Sequence, residues 1–364
     1  VNEMATLNLS EESKKFQSIT FAESTEQYGL RQYPNLNENP TNRVFNDAYH
    51  KELADQYGFI FYKLDADDQF IIANRNTGEV LQAPGTTGPD SVVLHKQYDA
   101  SIGQKITKKQ LTKDNFQLYV YNSTGIISAP YDKVGEWVNI VSLPKNSNEN
   151  NVHTHLKNRT DIKFEINIPS LSPTTKLEPI PELPGFNDPL PENEDAKRAV
   201  IGSALIPCVL VNDSISLADK IKEYPYYVLE YRQYWHLLWS DVFTAGSNKI
   251  KTEVTGIPSE AQEKMKEFVG ASIRTDIGLR FNEKSEPFGK QITSGLNVKH
   301  SYDYELGETT TTTNVDNPND FTVRYARYAR AHEFVLKRSD GQVVEEPWVA
   351  IDENDMYLKM YKRA

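Results

Sequence analysis

The same turn recurs in the same setting 47 residues apart (125 − 78), and that spacing limits what the first part of the chain can fold into. Phe70, Ile71, Ile72 and Ala73 lead through Asn74, Arg75, Asn76 and Thr77 to Gly78, and Val80 and Leu81 follow. Phe116, Leu118, Tyr119 and Tyr121 lead through Asn122, Ser123 and Thr124 to Gly125, and Ile126 and Ile127 follow. Each time an aromatic-rich run enters a polar Thr-Gly turn and an apolar run leaves it. A period of about 50 residues is the scale of one supersecondary repeat. Gly29, 49 residues before Gly78, marks a worn first copy beside Ile19 and Phe21. Three copies make a β-trefoil; two similar hairpins in an ordinary meander satisfy the same spacing.

Composition agrees with a β protein. The chain has 364 residues with 20 Tyr, 15 Phe and 4 Trp, and aromatic and β-branched residues dominate its apolar segments. Its length points to two domains. The single cysteine, Cys208, sits in an apolar run from Ile206 to Val211, so no intramolecular disulfide forms and a buried thiol is expected. A formal net charge of -11 disfavours non-specific nucleic-acid binding. No run of about 18 apolar residues occurs, so no helical membrane span is expected; a β-barrel span carries a much weaker signal.

Between about residues 169 and 194 the chain carries Pro169, Pro173, Pro179, Pro181, Pro184, Pro189 and Pro191 with acidic residues between them. Proline removes ladder donors and stiffens the backbone, so residues 161–195 read as an extended linker or a strap. The domains fall at 1–160 and 161–364. Asp340-Gly341 between two strand-like runs marks a hairpin turn. The Tyr/Trp run over 224–239 reads as core.

Catalytic motifs are missing. There is no Gly-rich phosphate loop, no Gly-x-Ser-x-Gly elbow and no His patterned to activate Cys208. No carboxylate pair stands in the opposed environments that a glycosidase needs. His153 and His155 read as part of a solvated loop, and Asp65, Asp67 and Asp68 as a turn, because the Gly and distal Glu of a calcium loop are absent. The expectation is a protein that is not an enzyme and holds no metal or cofactor.

A different pattern carries information. Val269, Ala271, Ile273, Thr275, Ile277, Leu279 and Phe281 alternate with Gly270, Ser272, Arg274, Asp276, Gly278 and Arg280. Thirteen alternating residues slightly exceed the roughly 9–11 of a tilted membrane strand, and they equally suit a half-buried sheet. Thr-rich segments flank them, with five successive Thr at 309–313. Such strands commit neither face to a core. In lipid they must close into a barrel, which requires several chains.

Residues 197–208, from Lys197 to Cys208, resemble the Bin-type binary mosquitocidal toxins, the Tpp family. So do Tyr226, Tyr227 and Tyr231 with Tyr234, Trp235, His236 and Trp239, and so do residues 273–281, 290–297, 323–325, 333–338 and 347–350. The match runs in order from about 196 to 352; earlier it rests on residues 70–81. The resemblance implies an all-β protein: a ricin-B-lectin-like β-trefoil over 1–160 and an aerolysin-like pore-forming domain over 161–364. It implies a parasporal crystal in sporulating bacteria, proteolytic activation, and action at the insect midgut membrane. There the family binds a receptor or glycan and forms an oligomeric pore with a second toxin component, a Bin-type companion or a three-domain crystal toxin. The details are nearer to the receptor-binding subunit type. Exposed aromatics of the repeats, Phe61, Tyr62, Phe116 and Tyr119, become the recognition candidates, and the seven residues of the 269–281 apolar face become the membrane-inserting strand. No cysteine lies in 1–160, so a trefoil disulfide is absent. A non-lytic carbohydrate-binding component is the alternative reading.

Overall fold

The computed structural model describes residues 9–24, 27–32, 42–130, 138–147, 152–169, 181–269, 273–274, 278–279, 281–297 and 307–362. Six strands of the first part close on themselves. In order around the ring they are Phe16–Phe21, Phe59–Lys63, Gln69–Asn74, Ile106–Gln110, Asn115–Val120 and Leu156–Arg159, each antiparallel to the next. The last pairs back to the first, from Ser18↔Arg159 to Phe21↔Leu156. Between successive ring strands stand three hairpins: Tyr28–Gln32 with Val44–Ala48, Val80–Gln82 with Leu94–Lys96, and Gly125–Pro130 with Val141–Pro144. Three copies of strand, hairpin and strand are a β-trefoil. Gly29, Gly78 and Gly125 all fall at the entry to the hairpins, which settles the repeat in favour of three copies.

Continuous apolar runs form these strands because both of their faces are buried. Phe59 and Phe61 fill the barrel with Ile19, Phe21, Phe70, Ile72, Phe116 and Leu118. Ile60 and Tyr62, on the opposite face, join a core built largely by the second part of the chain, with Leu205, Cys208, Tyr226, Phe288 and Trp348. Burying such a side chain contributes about 1.5–3 kcal/mol. One core therefore continues from the trefoil into the second unit. Hydrogen bonds cross it from the hydroxyls of Tyr62 to Pro225 O (2.6 Å), Tyr226 to Ser13 O (2.8 Å) and Tyr98 to Lys284 O (2.8 Å).

Among the described residues, no strand pairing joins residues before 160 to those after 198. The main sheet of the second unit is antiparallel, in the order Ala199–Pro207, Tyr226–Phe243, Val323–Lys337, Trp348–Tyr361, Asn248–Gly256 and Glu308–Asp316. Its longest strand has 18 residues, which spans roughly 60 Å. The trefoil end of this sheet is buried in the shared core. Beyond it, Ala199–Pro207 pairs only as far as Gln233, and the long strands continue without that neighbour.

A strap and a ribbon cover the projecting half. On one face Leu183 and Leu190 of the Pro-rich segment pack on Ala326, Tyr328 and Tyr361. Trp235 Nε1 donates to Pro181 O at 2.6 Å, and Lys362 N to Phe186 O at 2.9 Å. Asn193 takes the place of the lost strand: Leu237 N donates to its Oδ1 (2.7 Å) and its Nδ2 donates to Leu237 O (3.0 Å). On the other face the Thr-rich ribbon lies over Trp239, Phe243 and Tyr325, with Val315 packed against them. A register shift between Leu237 and Trp239 separates the two sets. Because side chains alternate with period two, the bulge swaps faces: Trp235 and Leu237 meet the strap, while Trp239, Asp241 and Phe243 meet the ribbon.

Candidate membrane ribbon and recognition surface

The 13-residue alternation does not form one strand. Val269 is the last residue of a helix, Ser259–Val269. Ile273–Arg274 pairs antiparallel with Gly278–Leu279, Ile273 opposite Leu279, so the chain doubles back within the segment. Ala271, Thr275 and Ile277 lie outside the described residues. Phe281 packs against the shared core, where Gly289 admits its ring: a Cβ there would lie 2.4 Å from Phe281 Cδ2. Period two fixes which face a side chain takes and is silent on where the chain reverses. Asp276 and Gly278 are the turn-type residues that could have warned of it. The helix was legible from Glu260, Ala261, Gln262, Glu263 and Lys264, all helix formers that follow Pro258 and Ser259.

The recognition candidates are likewise displaced. Phe61, Tyr62, Phe116 and Tyr119 are all buried, at 0%, 0%, 1% and 7% exposure. Phe61 and Phe116 fill the barrel, Tyr62 joins the two units, and Tyr119 packs with Ile126, Val141 and Leu143. None offers a face to a receptor. The repeat positions are conspicuous in sequence because packing selects aromatics there. His153 is also no loop residue: it pairs with Ala129 in a ladder and its Nδ1 lies 3.2 Å from Glu23 Oε2. Burial pushes the Cys208 thiol up to about 11, as an inert core cysteine requires.

A second amphipathic element is formed by the strands on either side of residues 269–281. Asn248–Gly256 and Glu308–Asp316 pair along their whole length, from Asn248↔Asp316 to Gly256↔Glu308. Their only backbone pair with the rest of the sheet, among the described residues, is Gly256↔Ile351. Along the first strand the more exposed residues alternate with the more covered ones. The covered face carries Lys249, Lys251, Glu253 and Thr255. The outer face carries Ile250, Thr252 and Val254, with Ile250 72% and Val254 44% exposed. Ordinary sheets bury the apolar face and wet the charged one; the first strand of the ribbon does the reverse, while the second adds Thr310, Thr312 and Asn314 to the outer face and Val315 to the covered one.

Side chains hold it down. Asp241 Oδ2 accepts from Lys251 Nζ at 2.5 Å, and Lys249 Nζ stands 3.1 Å from Asp241 Oδ1. The two ammonium groups lie 5.0 Å from the Trp239 ring and 5.2 Å from the Phe243 ring. Glu253, 3% exposed, accepts from Trp239 Nε1 and pairs with Arg327 Nε, both at 3.0 Å. The hydrogen bond from Lys251 holds the Asp241 carboxyl down to about 2. A carboxylate depressed in the folded state stabilises above its unfolded pKa of ~3.9 and is lost only as pH falls toward 2, so mild acid leaves this latch closed. The signal was readable: Lys249, Lys251 and Glu253 alternate with Ile250, Thr252 and Val254. Among the described residues, no group of three His, Cys, Asp or Glu stands close enough to hold a metal ion.

A trefoil barrel fused to a long-stranded sheet defines a class of two-part β proteins. The crystal structure of Cry35Ab1 has this fold, with a TM-score of 0.69 over 96% of this chain and 90% of that one, at 17% identity. In sequence the chain is 33% identical to binary larvicide subunit BinB of Lysinibacillus sphaericus across 98% of its length and 82% of that protein. It is 34% identical to subunit BinA of the same organism across 88% and 85%. The insecticidal crystal protein Cry35Ab1 of Bacillus thuringiensis is 25% identical across 43% of the chain. No family model matches. The chain belongs to the Bin family of insecticidal binary-toxin subunits.

Proposed function

We propose that this protein is a larvicidal toxin subunit that docks on a midgut receptor or glycan through its trefoil unit and, with a companion toxin component, oligomerises into a β-barrel pore. The observation that carries the pore reading is the inverted ribbon. On its first strand the outer face of Ile250, Thr252 and Val254 suits lipid and the inner face of Lys249, Lys251 and Glu253 suits an aqueous lumen, and the threonines opposite commit the second strand to neither. Each ribbon strand has nine residues, within the roughly 9–11 of a tilted membrane strand. In lipid the ribbon's open edges must pair with neighbouring copies, which makes oligomerisation a requirement. Residues 257–307, including 269–281, join the two ribbon strands and extend the inserted hairpin. The crystal inclusion of a sporulating bacterium is the proposed store of the inactive form.

The test is to staple the ribbon down. Cysteines placed by Asp241→Cys and Lys251→Cys are joined with a short bismaleimide; buried Cys208 does not compete. Dye release from receptor-bearing vesicles, with companion toxin present, is expected to fall at least tenfold while receptor binding is kept. Undiminished release from the stapled protein would show that the ribbon does not enter the membrane. Binding without release by the unmodified protein would favour a non-lytic docking component. The Ile273→Asp variant tests the extension: folding and binding are kept and release is lost.

A further inference from the structure

The trefoil unit grips the segment that joins the two ribbon strands. In the turn after Phe59–Lys63, Asp65 N donates to Pro287 O at 2.9 Å, and Leu64 O accepts from Gln291 Nε2 at 2.9 Å. Beyond Leu94–Lys96, the Tyr98 hydroxyl donates to Lys284 O at 2.8 Å, and its ring meets Phe288 edge-on at 6.0 Å. The Asp65 carboxyl stands against the backbone N–H groups of Lys290 and Gln291, in the first turn of the helix Gly289–Gly295, where the helix dipole favours negative charge. The Asp-rich turn of the sequence is therefore a contact between the units.

Two joints connect barrel and sheet, and they differ in what they hold. Tyr62, Cys208 and Tyr226 join the barrel to Ala199–Pro207 and Tyr226–Phe243, strands laddered to each other and independent of the ribbon. The second joint holds residues 284–291, which lie inside the 257–307 connection. Phe288 and Ile292, each 1% exposed, seat this segment in the shared core. Asn282 Nδ2 donates to Glu267 O (2.6 Å) and Ser285 Oγ to Phe268 O (2.7 Å), so the helix Ser259–Val269 is held by the same grip. Cavities of about 690 Å³ and 800 Å³ open along the seam, and Glu283 lines both. The polar side of the joint thus rests on a few hydrogen bonds with room beside them.

We infer that this second joint is a lock on the pore hairpin: while Leu64, Asp65 and Tyr98 hold residues 284–291 against the barrel, the connection between the ribbon strands cannot extend. Both ribbon strands run into that segment, at Gly256 and at Glu308, so breaking the Asp241 contacts alone frees the ribbon's face and leaves its base tethered. The trefoil then restrains insertion through residues separate from any receptor contact. The consequence for insertion rests on the pore reading; the hold itself is read without a membrane.

Two proteins test it. Tyr98→Phe combined with Gln291→Leu removes two of the three hydrogen bonds and keeps the apolar bulk. Hydrogen exchange over 282–296 is expected to quicken about tenfold while Phe59–Lys63 and Asn115–Val120 stay slow, and dye release from receptor-bearing vesicles with companion toxin is expected to begin about tenfold sooner. Asp65→Cys with Lys290→Cys, joined by a short bismaleimide, is expected to bind receptor and lose release; the same protein before joining keeps it. Unchanged exchange over 282–296 in the loosened variant overturns the lock. Quickened exchange with an unaltered onset of release overturns it as well, as does full release from the joined protein. Quickened exchange with no release from any form, the unmodified chain included, sinks the pore reading and leaves the hold on the segment standing.

Discussion

The Tyr62 hydroxyl donates to Pro225 O from a position with no solvent exposure, and its ring meets Tyr226 edge-on at 5.3 Å. Pro225 O also accepts from Cys208 N at 3.0 Å, so it keeps a partner if the hydroxyl is removed. Tyr62→Phe is expected to cost about 1 kcal/mol in urea unfolding and to leave receptor and sugar binding unchanged. A binding defect without a stability loss would restore Tyr62 as a recognition residue. The repeat glycines also differ in why they are glycine. Gly78 has φ +73°, and a Cβ on it would lie 2.5 Å from Leu217 Cγ in the second unit. In the next copy the left-handed positions fall to Tyr121, Asn122 and Ser123, and Gly125 is needed because a Cβ would meet Ser142 Oγ at 2.7 Å. One sequence signature thus serves two physical requirements.

At the scale of elements, the ribbon is fixed by side chains where its neighbours are fixed by backbone ladders. Glu253→Ala removes the acceptor of Trp239 and the counter-charge of Arg327 together. Breaking a buried pair costs about 3–5 kcal/mol, and with Arg327 a quarter exposed the low end, about 3, is expected. Hydrogen exchange should quicken across 248–256 and 308–316 and stay slow in the barrel strands. Uniform quickening throughout would mean that the latch supports the whole fold. The strap on the opposite face is anchored by Trp235 and Asn193, so the projecting half can lose its ribbon and stay covered on one side.

The whole molecule is built to tolerate base up to a limit. Ionisation of its 20 tyrosines at pH ~10 looks, from composition, like a ready source of extra negative charge. Burial opposes this. Desolvation pushes Tyr57 and Tyr234 up to about 12 and raises Tyr62, Tyr98, Tyr226 and Tyr227 as well. These phenols stay neutral in the folded chain at pH 10 and add no charge to it there. The unfolded chain ionises its tyrosines near ~10, and a group whose folded pKa is raised stabilises fully below that value. Stability is therefore expected to hold up to about pH 10 and to fall between pH 10 and 12. Thermal melts at pH 8, 9.5, 10.5 and 11.5 check this; a Tm flat to 11.5 would contradict it.

Local chemistry decided much of this protein in advance. Aromatic and β-branched runs make strands, glycine marks the repeat, and serial prolines forbid a ladder over 181–191, so the strands and the proline-rich connection were legible along the chain, while the repeat left a meander open and the family rested on the resemblance of whole segments. Only the tertiary structure decided which faces meet. A single bulge after Leu237 exchanges inside for outside along the longest strand. The shared core turns Tyr62 inward, and the reversal within 269–281 leaves the Thr-rich ribbon as the long amphipathic element. Alternation states that two faces differ, and packing against distant residues chooses which of them is covered.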